Sequence, residues 1–156
     1  MKIRRIEHVA IAVSDMGNMT SVLRDVLGLK LDYIEDLPKA RVALFPLGDS
    51  AIELVQGVGP EAQSAKWVGE RGQSLYHICL EVEDIDSALD ELRRKGIKLI
   101  HDIPIVGHGQ CRIAFIDPSC TGNILFELAE TSSTGNPVKS RGAAIRAIAA
   151  YRMIEY

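Results

Sequence analysis

The chain is predicted to be α+β, built from two βαβββ modules in tandem. Three observations predict this. Ile6 to Met16 (IEHVAIAVSDM) returns as Leu75 to Ile85 (LYHICLEVEDI), and an offset of 69 superposes His8 on His77 and Asp15 on Asp84. The segments that close the two halves also match, AIEL around Glu53 and LFEL around Glu127. In both halves the hydrophobic period passes from alternation to helical spacing and back to alternation.

Each element follows in order. Residues 3–13 alternate and are rich in Ile and Val, which predicts a strand. Ser14-Asp15 supplies N-cap chemistry. Met16, Met19, Val22, Leu23 and Val26 recur at helical spacing, and Gly28 suits the position after a helix end. Strands are then expected at about 29–35, 40–46 and 50–56, with a turn at Leu47-Gly48-Asp49-Ser50. Residues 57–74 link the modules, with a short helix at Ala62 to Glu70. The second half repeats the order: a strand from Leu75 to Val82, a cap at Asp84, and a helical face of Ile85, Ala88, Leu89 and Leu92 ended by Gly96. Strands at about 97–102, 111–116 and 123–129 complete it, with turns from Asp117-Pro118-Ser119 through Gly122-Asn123. LGLKL (27–31) and KGIKL (95–99) match at an offset of 68, so the second module has one residue fewer between strand and helix end. Residues 1–130 are thus read as one domain, with modules at about 3–56 and 75–130. Residues 131–140 read as a polar linker. Residues 141–156 read as a helix that packs on the body or on a second subunit, with a membrane surface as the lesser alternative.

Composition bounds the function. Apolar content of 47% fits a soluble globular protein, and the net charge of −3 is spread without a basic stripe, which argues against a nucleic-acid partner. Cys79, Cys111 and Cys120 have no metal or disulfide spacing and read as reduced, mostly buried thiols of a cytoplasmic protein. The start MKIRRIEHVAIAV is broken by Glu7 and His8 and does not read as a signal peptide. No apolar run is long enough for a membrane helix.

Strand parity directs the chemistry. Val9, Ile11 and Val13 would face the first helix, leaving Ile6, His8, Ala10 and Ala12 on the other side. Ile78, Leu80 and Val82 would face the second helix, leaving His77, Cys79 and Glu81 opposite. Glu53 lies between Ile52 and Leu54, and Glu127 between Phe126 and Leu128, so both carboxylates also leave the helix side. A lone strand histidine is usually a hydrogen-bonded core residue, and a lone strand glutamate is usually solvated. Here each position recurs in both halves, which favours convergence on one point. A buried carboxylate needs a partner. Two imidazoles and two carboxylates suit Zn, Ni, Co, Mn or Fe(II) better than Ca or Mg. His101 and His108 have no counterpart in the first half and are expected at the surface, His108 at the mouth of a pocket.

Through IEHVAIAV, AKWVGERGQSLYHICLEVEDIDSALDELRRKGIKLI and IVGHGQCRIAFIDPSCTGNILFELAE, the chain resembles the vicinal oxygen chelate superfamily over about residues 3–130. The resemblance implies that the paired modules form a cupped, partly open mixed sheet barrel around a metal site, with helices outside. Within that superfamily the chain is most similar to methylmalonyl-CoA epimerases. The shared features are a Lys-Trp stretch before the second histidine, a Gly-x-Gly turn followed by xxAFxxP, and a Thr-Gly-x-x-x-x-Glu-Leu ending. The resemblance implies metal ligands His8, Glu53, His77 and Glu127, a divalent ion (Co, Ni, Zn or Mn), an acyl-CoA substrate, and inversion at C2 through a metal-stabilised enolate. Glu127 is the first candidate for proton transfer and Glu53 the second. Lys66, Arg71 and Arg112 are candidates for the CoA phosphates, although each also reads as a surface charge. Two departures stand out: Tyr76-His77 replaces the usual His-His, and the region of Ala43 lacks the second acid proposed in some relatives. The same four ligands fit a glyoxalase I-type lactoylglutathione lyase. An extradiol-type dioxygenase and a metal-free binding protein are the other readings. A homodimer is expected, because symmetric pairs are the commonest assembly.

Overall fold

The computed structural model describes residues 1–131. Both modules contribute to a single eight-stranded mixed sheet with the order β2-β3-β4-β1-β5-β8-β7-β6. The strands are β1 (Ile3–Val13), β2 (Tyr33–Leu37), β3 (Ala40–Leu47), β4 (Ser50–Gly57), β5 (Ser74–Val82), β6 (Ile105–Val106), β7 (Arg112–Ile116) and β8 (Phe126–Glu130). β1 pairs in parallel with β4, and β5 in parallel with β8. The antiparallel β1–β5 pair joins the two halves. The sheet curls into a half-barrel, as the family resemblance implies.

The helices are α1 (Met16–Ser21), α2 (Gln63–Arg71) and α3 (Ile85–Arg94). Both module helices start as the sequence predicts. The Asp15 carboxylate accepts from the Asn18 amide at 3.0 Å, and the Asp84 carboxylate accepts from the Ser87 amide at 2.9 Å. Each such cap contributes about 1 kcal/mol. The unequal length between cap and glycine is absorbed in the first module. There α1 runs into a π-helical turn (Val22–Val26), and the Leu27 amide reaches back five residues to the Val22 carbonyl at 3.2 Å. A π turn is how a helix takes one extra residue without losing its axis. Gly28 (φ +69°) and Gly96 (φ +73°) then end the two helices at equivalent points.

Each helix covers one half of the sheet. Val13, Met16, Leu23, Ala43, Phe45 and Leu54 form one cluster, with Ile11 and Ile52 beside it. Val82, Ile85, Ala88, Leu89, Leu92, Ala114, Ile116 and Leu128 form its counterpart, with Leu80 and Phe126 beside it. Of the residues assigned to the helix side by parity, Ile11, Val13, Ile52, Leu54, Leu80, Val82, Phe126 and Leu128 are found there, and Val9 and Ile78 are not among them.

Two predicted strands shift. The first module's second strand starts at Tyr33 rather than near 29, because Leu29 and Leu31 pack on the helix-side cluster. The strand expected at 97–102 is reduced to a bridge at Leu99, and pairing resumes only at β6. Leu99 and Ile105 are six residues apart, but their partners Ile116 and Ile113 are only three apart, so the intervening chain must leave the ladder. Pro104, which has no amide hydrogen to offer a neighbour, sits in that departure.

Among the described residues no helix is long and apolar enough to cross a membrane. The predicted linker and C-terminal helix lie outside the described residues, except Thr131, whose hydroxyl donates to the Glu81 carboxylate at 2.7 Å.

Candidate metal centre

The β1–β5 register sets the site. Cys79 lies opposite His8, and His77 lies opposite Ala10. His8 and His77 are therefore diagonal neighbours on one face, related by the internal two-fold. Glu53 pairs with Ala10 across β1–β4, and Glu127 pairs with Cys79 across β5–β8. Since Ala10 and Cys79 are equivalent positions, so are the two glutamates. The four residues predicted from parity come together and are all buried.

Their polar atoms meet. The Nε2 atoms of His8 and His77 are 3.0 Å apart. His8 Nε2 is 3.4 Å from Glu53 Oε2, and His77 Nε2 is 2.9 Å from Glu127 Oε2. The Cys79 thiol sits 3.6 Å from Glu127 Oε1 and donates to it. Burial and the neighbouring Glu127 push that thiol well up, so it stays protonated.

Three residues at the site were not assigned to it from sequence. Glu7 should point with Val9 toward the helix, yet it is fully buried beside His8, and its Oε2 is 2.5 Å from His8 Nδ1. The cause is a β-bulge. Ile6 pairs with Leu80 and His8 with Cys79, so Glu7 is the extra residue on β1. A bulge re-aims a side chain in this way. The internal symmetry repeats it: Ala10 pairs with His77 and Ile11 with Leu75, which makes Tyr76 the extra residue on β5. The residue before each histidine is therefore bulged. Glu7 bonds its histidine, with its other oxygen 3.7 Å from Arg5 Nη2. Tyr76 instead lies with its ring 5.1 Å from that of His77, and His77 Nδ1 has no hydrogen-bond partner among the described residues.

His108 corrects an expectation. It is not a surface residue but is buried. Its ring is 5.2 Å from the His8 ring, and its Nε2 is 3.5 Å from Glu53 Oε1. Tyr33 on β2, the third unassigned residue, has its hydroxyl 2.9 Å from His108 Nδ1. The Gly109 amide donates to the Glu35 carboxylate at 2.9 Å. These contacts join the loop after one edge strand to the other edge strand, across the mouth of the cup. The Gly-x-Gly frame was the only sequence signal for this approach. His101 is half-buried and stays outside the cluster, with its ring 6.1 Å from that of Phe115.

The charges are unevenly tuned. Burial works against a charged His8, but Glu53, Glu7 and Glu127 outweigh it and raise the ring to about 9. Burial raises Glu53 despite His8 and His77. Burial also opposes a charged Glu127, yet His77 and then His8 and His108 hold its carboxyl below the usual range. Burial and the two glutamates raise Tyr76 to about 12, so its phenol stays protonated. Imidazole nitrogens and carboxylates packed in a buried cluster require protons or a cation between them. His8, His77 and Glu127 offer ligand atoms all within 4.8 Å of one another, as do His8, Glu53 and His108. Because Glu7 takes the Nδ1 hydrogen of His8, Nε2 is left to face the cluster, which is the arrangement of a metal-binding histidine with an outer carboxylate. The donor set therefore fits a divalent ion.

Lys66, Arg71 and Arg112, the candidates for the CoA phosphates that also read as surface charges, each have a partner of their own. Lys66 pairs with Glu61 at 2.7 Å, and Arg112 with Asp86 at 2.7 Å. The Arg71 guanidinium lies 3.7 Å over the Trp67 ring. Trp67 contacts Tyr76, and Tyr76 contacts His77, so Arg71 is connected to the site through aromatic rings.

A duplicated βαβββ sheet with histidines and carboxylates at its internal two-fold defines the vicinal oxygen chelate class. The chain belongs to the Glyoxalase/Bleomycin resistance protein/Dioxygenase superfamily, whose model matches residues 7–115. It is 31% identical over 133 residues to the mitochondrial methylmalonyl-CoA epimerase of Mus musculus, covering 83% of this chain and 74% of that protein. It is 32% identical over 133 residues to the ethylmalonyl-CoA/methylmalonyl-CoA epimerase of Cereibacter sphaeroides, covering 82% and 98%. The crystal structure of methylmalonyl-CoA epimerase from Mycobacterium tuberculosis superposes with a TM-score of 0.79 at 29% identity, covering 82% and 88%.

Glu7→Gln keeps the volume and an acceptor oxygen at His8 but removes the charge. It should weaken divalent-metal affinity by about tenfold, the lower end for loss of an outer partner. Chelator competition measures this, and an unchanged affinity would remove Glu7 from the orienting role. A second test follows from His8. Its folded value of about 9 exceeds the ordinary 6.5, so its charge stabilises the metal-free protein below pH 6.5 and that stability is lost as pH rises through 9. A metal must displace this proton. Affinity should therefore rise with pH by up to roughly tenfold per unit and level off above about 9. A pH-independent dissociation constant between 6.5 and 9 would contradict it.

Proposed function

We propose that the chain is a metal-dependent epimerase that inverts C2 of methylmalonyl-CoA. The observation that carries this reading is the placement of Glu53 and Glu127 on opposite flanks of the His8–His77 pair. Inversion requires proton acceptors and donors on both faces of a flattened carbon, and a two-fold-related carboxylate pair supplies them. The names of the relatives and of the structural neighbour support the same substrate.

His8, Glu53, His77 and Glu127 would hold the ion, with Co, Ni, Zn or Mn as the candidates. When bound, it would supply a Lewis acid that polarises the thioester and carboxylate oxygens of the substrate. Glu127 takes the C2 proton as a carboxylate that loosens from the ion to act as a base. Glu53, its two-fold counterpart, returns a proton from the opposite face. No acid on β3 competes for the second role. Ala43 faces the helix-side cluster, and the neighbours paired with Val55 and Glu53 are Val42 and Leu44. The apolar surroundings exclude water and strengthen these charge interactions. The two modules act as one domain over residues 1–130, and a homodimer completes the proposal.

The His-Glu-His-Glu set also favours a second reading, a glyoxalase I-type lyase acting on a glutathione hemithioacetal. One experiment separates them. Metal-loaded protein incubated with methylmalonyl-CoA in D₂O should exchange the C2 proton far above the rate of His77→Ala, followed by NMR. Exchange no faster than in that variant would reject the epimerase, and turnover of the hemithioacetal in its place would establish the lyase. Light scattering should give twice the chain mass, and a monomer mass would overturn the dimer.

A further inference from the structure

The third histidine has the construction of a ligand. We propose that His108 is an exchangeable fifth donor to the same ion, carried by the loop between β6 and β7 and displaced by a chelating substrate. This rests on the metal-site reading above and extends it.

The ring orientations carry the argument. His8, His77 and His108 all present Nε2 to the carboxylates: His8 to Glu53 at 3.4 Å, His77 to Glu127 at 2.9 Å, and His108 to Glu53 at 3.5 Å. His108 Nε2 is also 3.9 Å from Glu7 Oε2. The opposite nitrogen of His8 meets the Glu7 carboxylate, and that of His108 meets the Tyr33 hydroxyl at 2.9 Å. A metal-bound histidine gives its other ring N–H to an oxygen, and this fixes its tautomer. Tyr33 does for His108 what Glu7 does for His8. His108 also forms, with His8 and Glu53, a second set of ligand atoms within 4.8 Å of one another, and this set shares His8 with that of His8, His77 and Glu127.

The loop backbone is shaped for this placement. Gly107 packs so closely that a Cβ there would come within 2.9 Å of Ile113. Gly109 (φ 59°) and Gln110 (φ 61°) are both left-handed, a conformation that a glutamine rarely adopts. Such strain persists where surrounding contacts hold it, and it clusters at ligand clamps. Here the holding contacts are the Gly109–Glu35 and Tyr33–His108 hydrogen bonds.

The consequence is selectivity. On an ion that accepts six ligands, five protein donors would leave one position open. A substrate that binds through two oxygens would then have to displace one donor, and His108 is the donor borne by a loop rather than a sheet strand. A thioester with a neighbouring carboxylate can do this, whereas a thioester alone offers one oxygen too few.

The test uses the full chain loaded with Co(II). Paramagnetic proton NMR counts the hyperfine-shifted, exchangeable ring N–H signals of bound histidines. Three are expected in the resting protein and two in His108→Ala, with Co(II) affinity weakened by at least about tenfold. Malonyl-CoA should reduce the wild-type count to two, and propionyl-CoA should leave it at three. Two signals in the resting wild type would overturn the proposal while leaving the four-residue site intact. Failure of the wild type to retain Co(II) would overturn the metal site and this proposal together. The wild-type count decides the matter even if His108→Ala does not fold.

Discussion

The antiparallel pairing of β1 with β5 is the constraint on which the rest depends. It joins the modules and puts their two-fold axis through the middle of the sheet. Equivalent residues of the two halves are then neighbours. A histidine encoded once per module becomes a pair of histidines 3.0 Å apart at Nε2, and a glutamate encoded once per module becomes a flanking pair. The parallel β1–β4 and β5–β8 pairings bring in these glutamates at matching heights.

The symmetric scaffold carries unequal surroundings. The two bulges related by the internal symmetry occupy the position before a histidine, but one presents a carboxylate and the other a phenol. Glu7 anchors His8, and Arg5 approaches the same carboxylate. On the other half Tyr76 and Trp67 form an aromatic wall, and His77 relies on Glu127. The raised Glu53 and the lowered Glu127 express this inequality in protonation.

Closure of the cup adds a second asymmetry. The Tyr33–His108 contact links the loop beyond β6 to β2, the two outer edges of the sheet. Neither residue has a counterpart of the same type in the other module. The bridge crosses the mouth of the cup, above the His8, His77, Glu53 and Glu127 cluster that the duplicated strands supply.

Much of this was legible in the chain itself. The repeat, the caps at Asp15 and Asp84, the helix-side clusters and the common face of His8, His77, Glu53 and Glu127 follow from periodicity, because period 2 and period 3.6 are local properties of the backbone. Even the residue missing from the second module was visible, although its form as a π turn was not. Glu7, Tyr33 and His108 were decided only by tertiary structure. Glu7 joins His8 because a bulge breaks parity, and a bulge depends on how β1 registers against a strand some 70 residues away. Tyr33 and His108 meet because the sheet curls until its two edges approach. Sheet curvature and strand register arise from pairing between distant segments, and no window along the sequence contains them.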